Sequence, residues 1–383
     1  MMDEVVKNHI KRYIKEDVLR HIEANKVVVV YGPRRVGKTT LVKEVVGELG
    51  SGVRWVSGED MDVHPWLSSL SLEKLKAFVG STKTLVIDEA QRIDQIGLNL
   101  KIMVDMIDGL RIIATGSSSF DLANQVGEPL VGRKWTYHLY PVAQLELKTR
   151  ETTFETGQRL ESRLLYGGYP EVVLAEGLSE KREILESILD GALYKDILMV
   201  EGLKKSGKIV NLLKLLAFQV GSLVSARELG AILGLNIATV QRYLDILEKL
   251  FVIKGLWGFR RNLRSEVIKT NKYYFWDNGI RNALTSNFNE LAVRSDAGQV
   301  WENYLFIERI KKREYQKIYA NSYFWRTHQQ NEIDLVEERE GGLYEYEFKW
   351  GKGRAGGPKS WRVAYPEAKY EVITRDSYLD FIS

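Results

Sequence analysis

Gly32-Pro33-Arg34-Arg35-Val36-Gly37-Lys38-Thr39 decides how this chain reads. The stretch fits G-x-x-x-x-G-K-[ST] and stands between a β-branched run, Val27–Tyr31, and a helical pattern that Thr40 and Leu41 continue. Glycines at both ends let the backbone wrap around an anion. Its N–H groups and the positive end of the following helix then face a phosphate. Lys38 adds a full positive charge, and Thr39 offers a hydroxyl to Mg²⁺. The expected nucleotide-binding set is therefore Gly32, Pro33, Arg34, Arg35, Val36, Gly37, Lys38, Thr39 and Thr40.

Such a site needs an acidic residue at the end of a second buried strand, and Leu85-Val86-Ile87-Asp88-Glu89 supplies one. Asp88 would hold Mg²⁺ together with Thr39, and Glu89 would orient and polarise the attacking water. Short β-branched runs at Val27–Tyr31, Val53–Ser57, Thr84–Asp88 and 111–115 alternate with helical periodicity, the signature of a parallel α/β sheet. The last of these runs leads into Gly116-Ser117-Ser118-Ser119. Ser117 is a candidate sensor of the terminal phosphate, and the competing reading makes these serines the cap of the next helix.

The 383 residues leave room for two to four domains, and 44% hydrophobic with 28% charged residues is ordinary for a folded interior. A net charge of +4 is too thin to argue for nucleic-acid binding without local clustering. The absence of cysteine removes disulfides, thiolate nucleophiles, zinc ribbons and iron–sulfur sites, and fits a reducing cytoplasm. The five histidines are scattered without ligand spacing. No apolar run reaches the length of a membrane span, so no membrane association is expected.

Taken with Ala114-Thr115-Gly116-Ser117-Ser118, Gly132-Arg133 and Gly167-Gly168-Tyr169-Pro170-Glu171, these motifs resemble the AAA-type ATPases of archaea and bacteria whose C-terminal domain was long catalogued as of unknown function. The resemblance spans nearly the whole chain. It implies an α/β fold class: a P-loop, AAA+-like parallel-sheet domain (1–145), a helical lid (146–205), a winged helix-turn-helix (206–262) and a C-terminal α/β domain similar to restriction endonucleases (263–383). It also implies ATP as the nucleotide, with Mg²⁺. Arg133 is the candidate arginine finger, completing its own site or reaching a neighbouring subunit's nucleotide in a homo-oligomer; its other reading is a solvated turn. The catalytic set is thus Lys38, Asp88, Glu89 and Arg133.

Three helical segments at 208–220, Ala226–Leu233 and 238–250, punctuated by Gly221 and Gly234, outline a helix-turn-helix. Thr239, Gln241, Arg242 and Tyr243 on its last helix are candidate contacts to phosphates or base edges, and residues 251–259 with Arg260, Arg261 and Arg264 would form a basic wing. DNA is the expected partner, with docking to another protein as the alternative.

Further on, Glu302 lies in a helix, Asp334 in a strand, and Glu347 with Lys349 in the next strand, a set similar to the PD-(D/E)xK nuclease signature. Two carboxylates together can concentrate charge for a second Mg²⁺, and the lysine can orient a water. The alternative is the wet face of an ordinary hairpin. Three functions follow: an ATP-driven switch engaging DNA, an ATP-gated Mg²⁺-dependent nuclease, and a regulator whose C-terminal domain is inert and docks a protein.

Overall fold

Val27, Val28, Val29 and Val30 expose no surface, a burial that strands reach when helices cover both faces of a parallel sheet. They belong to β1 (Val27–Tyr31). The computed structural model describes residues 10–116, 129–194, 197, 206–259, 270–327, 330–351 and 357–383. Contacts divide the chain into two units, residues 1–140 with 249–251 and residues 141–248 with 252–383.

In the first unit, β2 (Val53–Ser57), β3 (Thr84–Asp88), β4 (Arg111–Gly116) and β5 (Lys134–His138) join β1 in a wholly parallel sheet ordered β2-β3-β4-β1-β5. The four strands expected from the sequence are present, and β5 is an addition. Its sequence, Lys-Trp-Thr-Tyr-His, lacks the apolar continuity of β1 because it is an edge strand with two of its five residues exposed and none fully buried. Helix α1 (Lys15–Arg20) precedes the sheet, and α2 (Lys38–Leu49) leaves the glycine loop directly.

The second unit begins with α3 (Thr153–Tyr166), started by a reciprocal cap between Thr152 and Glu155 and stopped at Gly167, whose φ of 76° is left-handed. Next come α4 (Ser206–Phe218), β6 (Leu223–Ser225), α5 (Ala226–Leu233) and α6 (Ile237–Lys249). Ser225 caps α5, and the Asn236 carboxamide oxygen accepts the Thr239 N–H at 2.7 Å at the start of α6. Then follow β7 (Ile253–Gly258), β8 (Thr270–Phe275), α7 (Asn278–Leu284), the long α8 (Ala297–Tyr315), β9 (Asn321–Arg326), β10 (Glu332–Arg339), β11 (Gly342–Phe348), α9 (Lys359–Ala364) and β12 (Lys369–Ile373).

These strands form one seven-stranded sheet ordered β12-β11-β10-β9-β7-β8-β6. Strands from either side of the expected 262/263 boundary share this sheet. β8, placed beyond it, pairs with β6 and β7 on the other side, and β7 pairs with β9 through Trp257–Tyr323 and Gly258–Phe324. Apolar packing crosses the same point, since Phe259 packs with Ile333, Val336, Leu343 and Trp361.

The Gly167-Gly168-Tyr169-Pro170 break is a site of backbone-to-backbone packing. Gly168 N–H donates to the Asp277 carboxylate at 2.7 Å, Val142 N–H donates to Gly168 C=O at 2.7 Å, and Asp277 also caps α7 through Ile280 N–H. A Cβ on Gly279 would fall 2.1 Å from the Tyr166 carbonyl oxygen, so no side chain fits there. Gly279→Ala is expected to cost the second unit about 1–3 kcal/mol through this overlap. Urea unfolding followed by tryptophan fluorescence checks it, and an unshifted midpoint would refute the close approach.

Candidate functional site

The glycine loop follows β1 and opens α2, as its motif requires. Gly32 is there for space: a Cβ would lie 2.0 Å from the Leu139 carbonyl oxygen, where the chain leaving β5 passes the loop. Gly37 sits at φ 93° as the residue before α2, a conformation that L side chains rarely adopt, and Arg35 is also left-handed at 61°. Lys38 is 5% exposed, and its ammonium donates to the Gly32 and Pro33 carbonyls at 2.9 Å each. The charge is thereby held over the loop's entrance. Pro33 and Val36 are buried, Arg34 is half-buried and Thr40 is exposed.

The Asp88 carboxylate accepts hydrogen bonds on both oxygens, from the Thr39 hydroxyl at 2.9 Å and from the Thr115 hydroxyl. The same Thr115 oxygen accepts the Glu89 N–H at 3.1 Å. Sheet order explains this convergence. β4 lies between β1 and β3, so Thr115, opposite Val30 in the ladder, ends between the loop strand and the acidic strand. Glu89 adopts φ 51°, unusual for its type and of the kind that collects at functional sites, and its carboxylate accepts the Gln91 amide at 2.5 Å. Gly58 permits the turn: its N–H donates to Asp88 C=O at 2.7 Å, and a Cβ would lie 2.4 Å from Glu89 C=O.

Two expected members of this site stand differently. Ser117 lies outside the described residues. Arg133 is not beside its own chain's loop. It precedes Lys134, which is in register with Val27 at the start of β1, whereas the loop follows Tyr31 at the other end. Five residues of strand put roughly 15 Å between the two levels. Its guanidinium pairs with Asp105 at 2.6 Å. Missed from the sequence were Thr115, hidden in an apolar run, and Arg12, whose buried guanidinium donates to Val36 C=O at 2.5 Å and Tyr140 C=O at 2.6 Å.

The C-terminal carboxylates lie in β10, β11 and α8. Asp334, next to Leu335 of the β10–β11 ladder, accepts the Phe348 N–H at 2.8 Å. Glu347 pairs with Lys349 at 2.6 Å and accepts the Tyr370 hydroxyl. Glu302 is occupied by Lys272 at 3.0 Å and by the Tyr274 hydroxyl at 2.7 Å. Lys272, which sequence reasoning passed over, is 1% exposed and also reaches Glu332 at 2.5 Å. Burial opposes its charge, but Glu302, Glu332 and Asp334 outweigh it and raise its pKa. Among the described residues no three acidic or histidine side chains form a group that could hold a metal ion. Lys272 stands between Glu302 and Glu332, and its charge also acts on Asp334.

Burial, and then the charge of Glu302, push the Asp334 carboxyl up to about 7. Glu345, 1% exposed, is likewise pushed up to about 7 by burial, against the pull of Trp361 and Arg362.

Residues 24–148 match the family model described as an AAA domain. Residues 157–291 and 297–380 match models described as domains of unknown function, DUF8612 and DUF4143. An uncharacterized protein of Mycobacterium tuberculosis is 27% identical over 327 residues, covering 84% of this chain and 70% of that protein. One from Methanocaldococcus jannaschii is 24% identical over 360 residues, covering 88% and 78%. Among solved structures, the replication initiator DnaA bound to AMPPCP and single-stranded DNA is 18% identical, covers 63% of this chain and 91% of that one, and has a TM-score of 0.32. The Thermotoga maritima RuvB Holliday junction branch migration motor is 19% identical, covers 64% and 89%, and scores 0.31. Superpositions at these scores carry no weight for the fold. The AAA-domain match takes in the glycine loop and the Thr39–Asp88 pair described above. Among the described residues no helix is long and apolar enough to cross a membrane.

Thr115→Val removes the hydroxyl that serves Asp88 and Glu89 while keeping the shape, and is expected to cost the first unit about 1–3 kcal/mol. Chemical denaturation measures this. For the second unit, an acid pKa raised by folding gives stability that is full below the unfolded value and is lost as pH rises through the folded one. Stability should therefore decline between about pH 4 and pH 7. Glu345→Gln should flatten that decline in part, leaving the share of Asp334 and of Asp277 and Glu248, which burial also raises, and an identical pH profile for the variant would contradict the assignment.

Proposed function

We propose that the protein is a Mg²⁺-dependent ATPase that works as a nucleotide-driven switch, with DNA as the partner of its second unit. The observation that carries the ATPase reading is the meeting of Thr39, Asp88 and Thr115 beside the glycine loop. In this reading the loop N–H groups and the Lys38 ammonium bind the β- and γ-phosphates. The Thr39 hydroxyl and Asp88 carboxylate, 2.9 Å apart, are the oxygen donors a hard cation takes, and would hold Mg²⁺. The cation, when bound, neutralises phosphate charge. Glu89 orients the attacking water, and Thr115 fixes both the carboxylate and the Glu89 backbone.

The DNA reading rests on the helix-turn-helix order of α5 and α6 and on the polar face of α6. Gln241 and Arg242 are exposed and Thr239 is half-buried, suiting contact with phosphates or base edges. Tyr243 drops out of that set, because it is 5% exposed and belongs to the core. Arg260, Arg261 and Arg264 lie outside the described residues. Arg133 as a finger would serve only a second copy's nucleotide, which requires a homo-oligomer.

For the C-terminal part, the Lys272 ion pairs favour a nuclease-like fold without cleavage, acting as a docking module, over a Mg²⁺ nuclease. Plasmid nicking in Mg²⁺ or Mn²⁺ tests the choice: equal background from wild type and Asp334→Ala supports the inert reading, and nicking lost in the variant overturns it.

Lys38→Ala is expected to abolish Mg-ATP binding in calorimetry and ATP turnover. Retained turnover would sink the ATPase reading. In gel shifts across a salt series, Arg242→Ala should weaken DNA binding and shallow the salt slope by about one. Binding indifferent to nucleotide would count against the switch.

A further inference from the structure

We infer that Arg12 is a positioning residue for the phosphate-binding loop, setting the direction of the Gly37 N–H; this rests on the nucleotide reading above. In a trans peptide the C=O of one residue and the N–H of the next point in opposite directions. Arg12 Nη1 holds the Val36 carbonyl at 2.5 Å on one side of the loop, so the Gly37 N–H faces the other way. That peptide joins buried Val36 to Gly37, which sits at φ 93°. On its Gly37 side the intrinsic preferences of glycine select neither orientation of this plane over its reverse. The Arg12 hydrogen bond supplies a selection from outside the loop.

The guanidinium is itself firmly placed. Arg12 is 4% exposed, and Nη2 donates to Tyr140 C=O at 2.6 Å, just beyond β5. Ile10, Ile14 and Val18 of the same segment are buried. Lys15 pairs with Glu48 of α2 at 2.6 Å and lies 3.8 Å from Glu44. One N-terminal segment is thus tied both to the loop and to the helix that the loop starts. The two donors of a planar guanidinium reach two separate carbonyls at a fixed angle, which a lysine ammonium cannot reproduce. Its charge also adds to that of Lys38 in favour of an anion.

A loop released from Arg12 spends time with the Val36–Gly37 plane turned, and apparent affinity falls by the fraction still competent. Saturating nucleotide recovers the competent form. Arg12→Met should therefore raise Kd and KM for Mg-ATP about tenfold or more, with kcat within about twofold of wild type. Arg12→Lys should fall between. A merely structural role predicts the reverse: kcat reduced with the folded fraction and KM unchanged.

The experiment is calorimetry with Mg-ATP and steady-state hydrolysis on the full chain, for wild type, Arg12→Lys, Arg12→Met and Lys38→Ala, with thermal melts of each. The graded loss of affinity at preserved kcat supports the inference. Equal KM in wild type and either folded Arg12 variant, or a loss confined to kcat, overturns it while leaving the nucleotide reading intact. Wild-type protein that takes up no Mg-ATP overturns both. Should Arg12→Met fail to fold, Arg12→Lys, which keeps charge and most of the volume, decides by the same two constants.

Discussion

One carboxylate gathers the first unit's chemistry into a point. Asp88 ends β3 and takes hydroxyls from Thr39, at the head of α2, and from Thr115, at the end of β4. An aspartate in an apolar sheet needs such donors, since an ionised group left without them would forfeit its solvation. The parallel sheet supplies them because all its strands end on the same side, so three elements far apart in sequence deliver side chains to one edge. The loop, the acidic strand and the strand between them are consequently one polar assembly resting on an apolar floor.

What was legible in the sequence was local. Four valines in a row, a glycine-bounded loop and an apolar run ending in Asp-Glu announce themselves within a few residues, and each falls where the pattern puts it. The unread parts are those whose partners are remote. β5 is an edge strand with little apolar signal, and its existence is settled by pairing with β1, over a hundred residues earlier. Arg12 looks like any surface arginine until the fold brings Val36 and Tyr140 to it. The hydroxyl seen beside Asp88 is that of Thr115, quoted within a motif whose candidate side chain was Ser117.

The second unit shows the same limit in its charges. The turn at Gly341-Gly342 and the strands on either side are legible as a hairpin, and they pair as β10 and β11, but no periodicity could reveal that Lys272 from β8 would reach Glu302 and Glu332. Nearby, Arg309 grips Glu337 through two bonds of 2.9 and 2.7 Å, with Glu337 wholly buried. Arg163 pairs with Glu151, and Lys311 with Glu308. Buried pairs of this kind contribute little net stability, yet losing one partner strands the other, so they tie the packing to one arrangement. Glu302 is tied to Lys272 of β8 in the same way, a partner that no reading along the chain supplies.

The seven-stranded sheet also has a mechanical meaning. β7 is hydrogen-bonded to β8 on one flank and to β9 on the other, so the strands after α6 and the C-terminal strands form a single plank. A protease nick or gene truncation severing it would bare an unpaired strand rim, an invitation to edge-to-edge aggregation. The stretches that match two separate domain models are thus each left with an open edge when parted.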